Sequence, residues 1–201
     1  MQRTAKIKRS TKETDISIEL NLDGSGIADL DCPIGFLNHM LNTFAVHGLF
    51  DITLKAKGDL EVDQHHLVED IGIVLGQCFK EALGDKQGIR RVGSCLYPMD
   101  ETLARAAVDF CGRAFLVFDA LLTGIPLVSQ DGTFQTDTIA DFWQGFAMNA
   151  GCALHLDILR GRSDHHKIEA MFKAAARTFR DACEIDPRAA MRIPSAKGVI
   201  V

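Results

Sequence analysis

Two stretches of this chain carry the same set of metal-seeking side chains. Asp63-Gln64-His65-His66-Leu67-Val68-Glu69 returns as Ser163-Asp164-His165-His166-Lys167-Ile168-Glu169, with the paired histidines 100 residues apart. On a helix, His65 and Glu69 stand at i and i+4 on one face, as do His165 and Glu169. Imidazole plus carboxylate at that spacing is a common way to hold a divalent metal. For one copy alone, a polar helix start favoured by the macrodipole is the plainer explanation. Duplication favours the metal: both glutamates are kept, whereas Asp70, four residues after His66, becomes Ala170 in the second copy.

One helical turn cannot fill a coordination sphere, so further ligands must come from elsewhere. His39 lies on the helical pattern before the first motif. Asp141 takes the corresponding place before the second, where Asp141-Phe142-Trp143 parallels His39-Met40-Leu41. His47 precedes Gly48 at a helix end, where a histidine is favourable against the C-terminal dipole. His155 falls inside a strand, as suited to a packed core position as to a functional one.

A second group of residues suits an anion. Arg90 and Arg91, Arg113 beside Gly112, Lys173, and Ser195 with Lys197 in the tail Pro194-Ser195-Ala196-Lys197-Gly198 can offer guanidinium, ammonium, hydroxyl and free N–H groups to a phosphate. Taken singly, each is equally a solvated surface charge. Metal ligands beside a phosphate pocket point to lyase, isomerase or hydrolase chemistry on a small molecule. No nucleophile elbow, Walker loop or dinucleotide fingerprint occurs.

The elements that must position these groups repeat as well. Each His-His motif opens a long amphipathic helix: Val68, Ile71, Leu75, Cys78, Phe79 and Leu83 in the first, Ile168, Met171, Phe172, Ala175, Phe179 and Cys183 in the second. Gly84 stops the first. Strands are expected at Phe50–Lys57 and Ala153–Leu159, preceded by helices at Ile34–Val46 and Thr138–Ala150. Further upstream lie strand candidates Thr4–Arg9, Asp15–Leu22 and Gly26–Asp31, then Arg90–Tyr97, Thr102–Cys111 and Arg113–Asp119. The order β-β-β-α-β-α, given twice, predicts an α+β fold with helices on one side of mixed sheets and the halves packed as a pseudo-symmetric pair. One domain of two repeats is expected, about 1–87 and 88–201, because the joint near Asp85–Gly88 is too short for independent domains.

Composition narrows the setting. The chain has 201 residues, 47% hydrophobic and 24% charged, enough for a packed core. A net charge of −5 argues against duplex nucleic-acid binding, which needs a positive surface. No apolar run is long enough to span a bilayer. Six scattered cysteines without a Cys-x-x-Cys pair, in a chain whose start lacks a signal-like apolar run, suggest reduced thiols and a cytoplasmic setting.

These motifs resemble a known family. Phe36-Leu37-Asn38-His39-Met40-Leu41, His47-Gly48-Leu49-Phe50-Asp51, Asp63-Gln64-His65-His66 with Glu69-Asp70, Ala82-Leu83-Gly84-Asp85-Lys86, Pro98-Met99-Asp100-Glu101, His165-His166 with Glu169, Phe172-Lys173-Ala174 and Pro194-Ser195-Ala196-Lys197-Gly198 together resemble the imidazoleglycerol-phosphate dehydratases of histidine biosynthesis. The resemblance implies dehydration of imidazole glycerol phosphate to imidazole acetol phosphate with two manganese ions per site, in shells of twenty-four subunits built from trimers. It implies His39, His65, His66, Glu69, His165, His166 and Glu169 as metal ligands. Glu13 and His47 would face the imidazole and diol, while Arg91, Arg113, Lys173, Ser195 and Lys197 would hold the phosphate. The chain departs from the family at Asp141, where histidine is usual; aspartate also coordinates manganese, with a shorter reach. Asn38, where the family usually has aspartate, changes a group positioned to orient His39.

The chemistry explains the need for metals. The proton to be lost is not beside a carbonyl, and an imidazolate made by metal contacts at both ring nitrogens can expel the hydroxyl through a diazafulvene-like species. Phosphate contacts position the substrate. A ligating carboxylate and Glu13 are the alternatives for moving the proton. Because His66 is rotated by about 100° from His65 on a helix, one ion is not expected to take both. One ion would take His65 and Glu69 with His166 of another copy, and the second His165 and Glu169 with His66, which places the metals between subunits. A non-catalytic metal-storage shell would need these ligands but no basic set; a metal-dependent phosphatase would release inorganic phosphate.

Overall fold

The computed structural model describes residues 3–129, 132–190 and 192–200. In the first half the chain forms β1 (Thr4–Ser10), β2 (Thr14–Asn21), β3 (Ala28–Asp31), α1 (Gly35–Gly48), β4 (Asp51–Gly58) and α2 (His65–Leu83). The second half gives β5 (Val92–Met99), β6 (Thr102–Asp109), β7 (Phe115–Asp119), β8 (Leu127–Ser129), β9 (Gly132–Phe134), α3 (Thr138–Ala150), β10 (Ala153–Arg160) and α4 (Asp164–Cys183). The expected β-β-β-α-β-α order therefore holds in both halves. The second adds a β8–β9 hairpin that three-residue strands are too short to announce by periodicity.

Each half makes one four-stranded mixed sheet, ordered β1-β2-β4-β3 and β5-β6-β10-β7. The last strand in each is parallel to its neighbour and the others are antiparallel. Helices α1 and α2 cover one face of the first sheet, α3 and α4 one face of the second; the halves then meet helix to helix, α2 on α3 and α1 on α4. Alternation in the strands supplies the inward apolar faces: Ile16, Ile18, Leu20, Ile52 and Leu54 in one sheet, Ala104, Ala106, Val108, Leu154 and Leu156 in the other, all buried.

Aromatic rings fill the centre and carry the repeat into the core. Phe79 and Phe179, 100 residues apart like the histidines, have ring centroids 5.6 Å apart. Phe44 meets Phe179 at 5.7 Å and its counterpart Phe146 meets Phe79 at 5.3 Å, so the two halves make the same contact reciprocally. Helices α2 and α3 approach closely at two glycines: a Cβ on Gly72 would lie 2.2 Å from the Phe142 carbonyl oxygen, and one on Gly76 2.5 Å from that of Phe146. Leu49, with φ 55°, and Gly151, with φ 66°, close α1 and α3 in left-handed conformations, each donating its N–H back to the helix.

The two sheets differ on their outer faces. The first presents Lys6, Glu19, Thr53 and Asp29 in one cross-strand row and Lys8, Ser17, Lys55 and Asp31 in the next. The second presents Val92, Leu96, Ala107, Val117 and Phe115, with an Arg105–Asp157 ion pair at 3.0 Å among them. Phe115 is 62% exposed and Leu96 60%. His155 stands on this exposed face, not in the core. Among the described residues no helix is long and apolar enough to cross a membrane. The cysteines are free, and all but Cys95 are buried; burial pushes the Cys32 thiol up to about 11.

Candidate active site

The N-terminal turns of α2 and α4 bring the two motifs into equivalent settings. On α4, His165 Nε2 lies 3.2 Å from Glu169 Oε2, and His39 Nε2, from α1, lies 3.4 Å from the same oxygen. Donor atoms of His39, His165 and Glu169 all fall within 4.8 Å of one another, a set with the nitrogen and oxygen chemistry of a divalent-metal site. On α2, His65 Nε2 lies 3.7 Å from Glu69 Oε2, and its Nδ1 lies 3.5 Å from Asp141 Oδ2 of α3. His39 from α1 thus approaches the glutamate of the α4 motif, whereas Asp141 from α3 approaches the ring nitrogen of His65 that faces away from Glu69 in the α2 motif.

The second histidine of each pair turns away from these groups. The rings of His65 and His66 stand at 85°, those of His165 and His166 at 87°. His66 Nδ1 faces Asp59 at 3.1 Å and Glu13 at 3.9 Å. The Asp59 hydrogen bond raises its pKa. His166 Nδ1 faces Glu101 at 2.8 Å, and that contact, with the N–H groups of Ser163 and Arg162, brings Glu101 down to about 2. Glu101 was missed as a functional residue by motif reading. The repeat itself carries the signal: Glu13 precedes β2 and Glu101 precedes β6, so the same acid meets the second histidine in both halves.

The two clusters differ in surroundings. Glu169 is 10% exposed, whereas Glu69 is 42% exposed. Burial opposes ionisation of Glu169, but the Lys173 ammonium at 2.8 Å, together with His39, outweighs it and lowers the pKa. Ile73 takes the place of Lys173 on α2, so the first motif lacks this cation. Lys173 Nζ also sits 5.8 Å from the Tyr97 ring centroid, and His47 meets the other side of the exchange, edge to face with Tyr97 at 5.5 Å. Burial, then Lys173 and Arg177, lower the His47 pKa. Asp70 is buried, accepting from Arg9 Nε at 2.9 Å and Thr14 Oγ1 at 2.5 Å; it braces α2 against the first sheet, which explains why the repeat does not need it. Asn38 donates to the Cys32 carbonyl at 2.7 Å, and its Oδ1 is buried without a hydrogen-bond partner.

Four of the anion candidates share one cavity of about 510 Å³, lined by Arg91, Arg113, Ser195 and Lys197 with Cys111 and Val199. Arg91, at φ 71°, is held by Asp109 at 2.6 and 2.9 Å and donates to the Pro194 carbonyl at 2.8 Å, fastening the tail to the cavity wall. The tail then turns on Ser195, whose Oγ accepts from Lys197 N at 3.2 Å. Lys173 does not line this cavity; its near partner is Glu169.

The chain is similar over nearly its whole length to one group of known proteins. The sequence profile of imidazoleglycerol-phosphate dehydratase matches residues 32–179. An imidazoleglycerol-phosphate dehydratase of Lacticaseibacillus casei is 55% identical over 198 residues, covering 98% of this chain and all of the relative. One from Methylorubrum extorquens is 52% identical over 196 residues, 98% of each chain. The crystal structure of the Staphylococcus aureus enzyme superposes with a TM-score of 0.80 at 37% identity, covering 91% of this chain and 99% of that one. That from Pyrococcus furiosus, solved in complex with (S)-C348, gives 0.81 at 31% identity, covering 96% and 99%.

Fold, site and relatives together define a lyase of the water-eliminating class. The chain belongs to the imidazoleglycerol-phosphate dehydratase family, whose reaction is the dehydration of imidazole glycerol phosphate in histidine biosynthesis.

Proposed function

We propose that the chain works as a dimanganese enzyme in the cytoplasm, yielding imidazole acetol phosphate, in a twenty-four-subunit shell built from trimers. The observation that carries this reading is a pair of partial sites: His39, His165 and Glu169, with donor atoms within 4.8 Å of one another, and at the repeated motif His65 beside Glu69, with Asp141 across the ring. Each is open to solvent, and each chain turns its remaining histidine, His66 or His166, away from its own cluster. A neighbouring chain would complete the first cluster with its His66-type imidazole and the second with its His166-type imidazole.

Manganese, when bound, would supply Lewis acidity toward the imidazole ring of the substrate. The chain's residues then divide the remaining work. Arg91, Arg113, Ser195 and Lys197 hold the phosphate, while Lys173, expected to join them, is instead paired with Glu169 outside their cavity. His47, kept neutral near pH 7 by burial, can accept a hydrogen bond from the diol. Glu13 is exposed next to His66 and free to carry a proton to or from the reacting carbons.

The test is a dehydration assay with imidazole glycerol phosphate on metal-stripped protein, with and without added manganese. Ketone formation that requires manganese supports the reading. Release of inorganic phosphate instead would make the protein a phosphatase, and ketone formation without metal would remove the metal role.

A further inference from the structure

The β8–β9 insertion has no counterpart in the first half, where only three residues separate β3 from α1. Its described residues, 120–129 and 132–137, are tied down at both ends. At its beginning, Thr123 donates to Asp164 Oδ2 through N–H at 2.7 Å and Oγ1 at 2.6 Å. Lys167 Nζ spans from Asp164 Oδ1 at 3.0 Å to the Leu121 carbonyl at 2.7 Å. Both side chains are nearly buried, 4% exposed for Asp164 and 9% for Lys167.

At the other end of the insertion the partner is Gln64. Its Nε2 donates to the Thr133 carbonyl at 2.5 Å, its Oε1 accepts from Gln135 N at 3.0 Å, and its own N–H donates to Gln135 Oε1 at 3.3 Å. At this same end Phe134 packs on Phe36 at 4.8 Å, and Phe36 meets the His165 ring edge to face at 5.2 Å.

Gln64 and Asp164 are equivalent positions, each immediately before a His-His pair. The two copies of the motif therefore grip opposite ends of one connecting segment. Gln64 is the N-cap position of α2 and Asp164 the first residue of α4, so each side chain leaves the backbone beside a histidine that would ligate, and holding it restrains that turn.

We propose that Gln64 and Asp164 are positioning residues, and that the insertion they hold is a clamp fixing the first turns of α2 and α4 relative to one another. The clamp couples His65 to His165, although the two belong to different clusters. Its effect on metal binding rests on the metal reading above; the mechanical coupling does not.

Two measurements separate these. In the metal-free protein, amide hydrogen exchange should rise in the first turn of α4 when Gln64→Ala cuts the tether to α2, and in the first turn of α2 when Thr123→Val loosens the tether to Asp164. Exchange that changes only beside the substituted residue overturns the clamp. In manganese titrations followed by the electron paramagnetic resonance of the free ion, each variant should bind about 10-fold more weakly, with an unchanged thermal midpoint for the metal-free protein. Wild-type affinity in both variants, or a loss accompanied by matching loss of folding stability, overturns positioning. An unaltered protein that binds no manganese would instead defeat the metal reading, leaving the exchange result to decide the clamp.

Discussion

Asp141 Oδ2 stands 3.5 Å from His65 Nδ1, on the opposite side of the imidazole from Glu69. The ring thus lies between two carboxylates from two helices, whereas in the other cluster His39 and His165 both approach one oxygen of Glu169. Asp141→Ala is expected to lower manganese occupancy, and Asp141→His to be tolerated. Metal analysis that finds two fully occupied ions per site in Asp141→Ala would refute a direct role in holding metal.

The cavity beside the tail gives a kinetic prediction. Lys197 and Arg113 are both exposed at its rim, so their removal disturbs little of the fold. Lys197→Ala and Arg113→Ala should each raise KM by roughly 10- to 150-fold, the worth of one charge-assisted contact. Arg91 is a poorer probe, because its substitution would also free Asp109 and the Pro194 carbonyl. Near-wild-type kcat/KM in both rim variants would end the phosphate assignment.

Metal removal should act on assembly as well as activity. With His66 and His166 directed away from their own clusters, ions would bridge chains, and chelation should reduce the particle to smaller species that manganese rebuilds. Mildly acidic buffer should do the same, since protonated imidazole cannot ligate. Light scattering decides it: a particle stripped of metal that keeps its full mass contradicts bridging.

His47 sets a pH dependence of its own. Its pKa in the folded chain lies below the ordinary 6.5, mainly through burial. An unfolded chain therefore takes up this proton before the folded one does. Stability contributed by neutral His47 is present above pH 6.5 and is lost as pH falls from there towards the lower folded pKa. His47→Asn should flatten the acid limb of denaturant stability measured on metal-free protein. Parallel acid limbs for the two proteins would disprove the linkage.

The close crossing of α2 and α3 makes Gly72 sensitive to a single methyl group. Gly72→Ala must push the helices apart against the Phe142 carbonyl, at a cost of about 2 kcal/mol in urea unfolding. Because α2 carries Glu69 and α3 carries Asp141, the same change should weaken manganese binding. Unaltered stability would show that the helices part freely here.

What the sequence made legible follows from what repeats. The His-His-x-x-Glu motif stood out because two copies share one offset, and that offset persists in the core at Phe79 and Phe179. His39 and Asp141 could be paired by the same logic. Glu101 was read only as part of the Pro98–Glu101 turn: Glu-Thr opens both β2 and β6, but the two copies do not share the offset of the paired histidines. Gln64 and Asp164 escaped for a different reason: most of their partners lie in an insertion present in one half only, so the repeat offers no second copy of these contacts to compare. Lys173 was legible as a cation but not as the neighbour of Glu169, since its i+4 pairing competes with any more distant anion.

The contrast between the two outer sheet faces bears on how the chain behaves in the test tube. One sheet carries interleaved lysines and acids that water solvates well; the other exposes Val92 and Leu96 on one edge strand, β5, and Phe115 on the opposite edge strand, β7. Dispersed single chains refolding from denaturant would stick to one another through the apolar side chains of the second sheet. Recovery should accordingly fall as protein concentration rises, and a lysine in place of Leu96 should restore it where one in place of Thr53 does nothing.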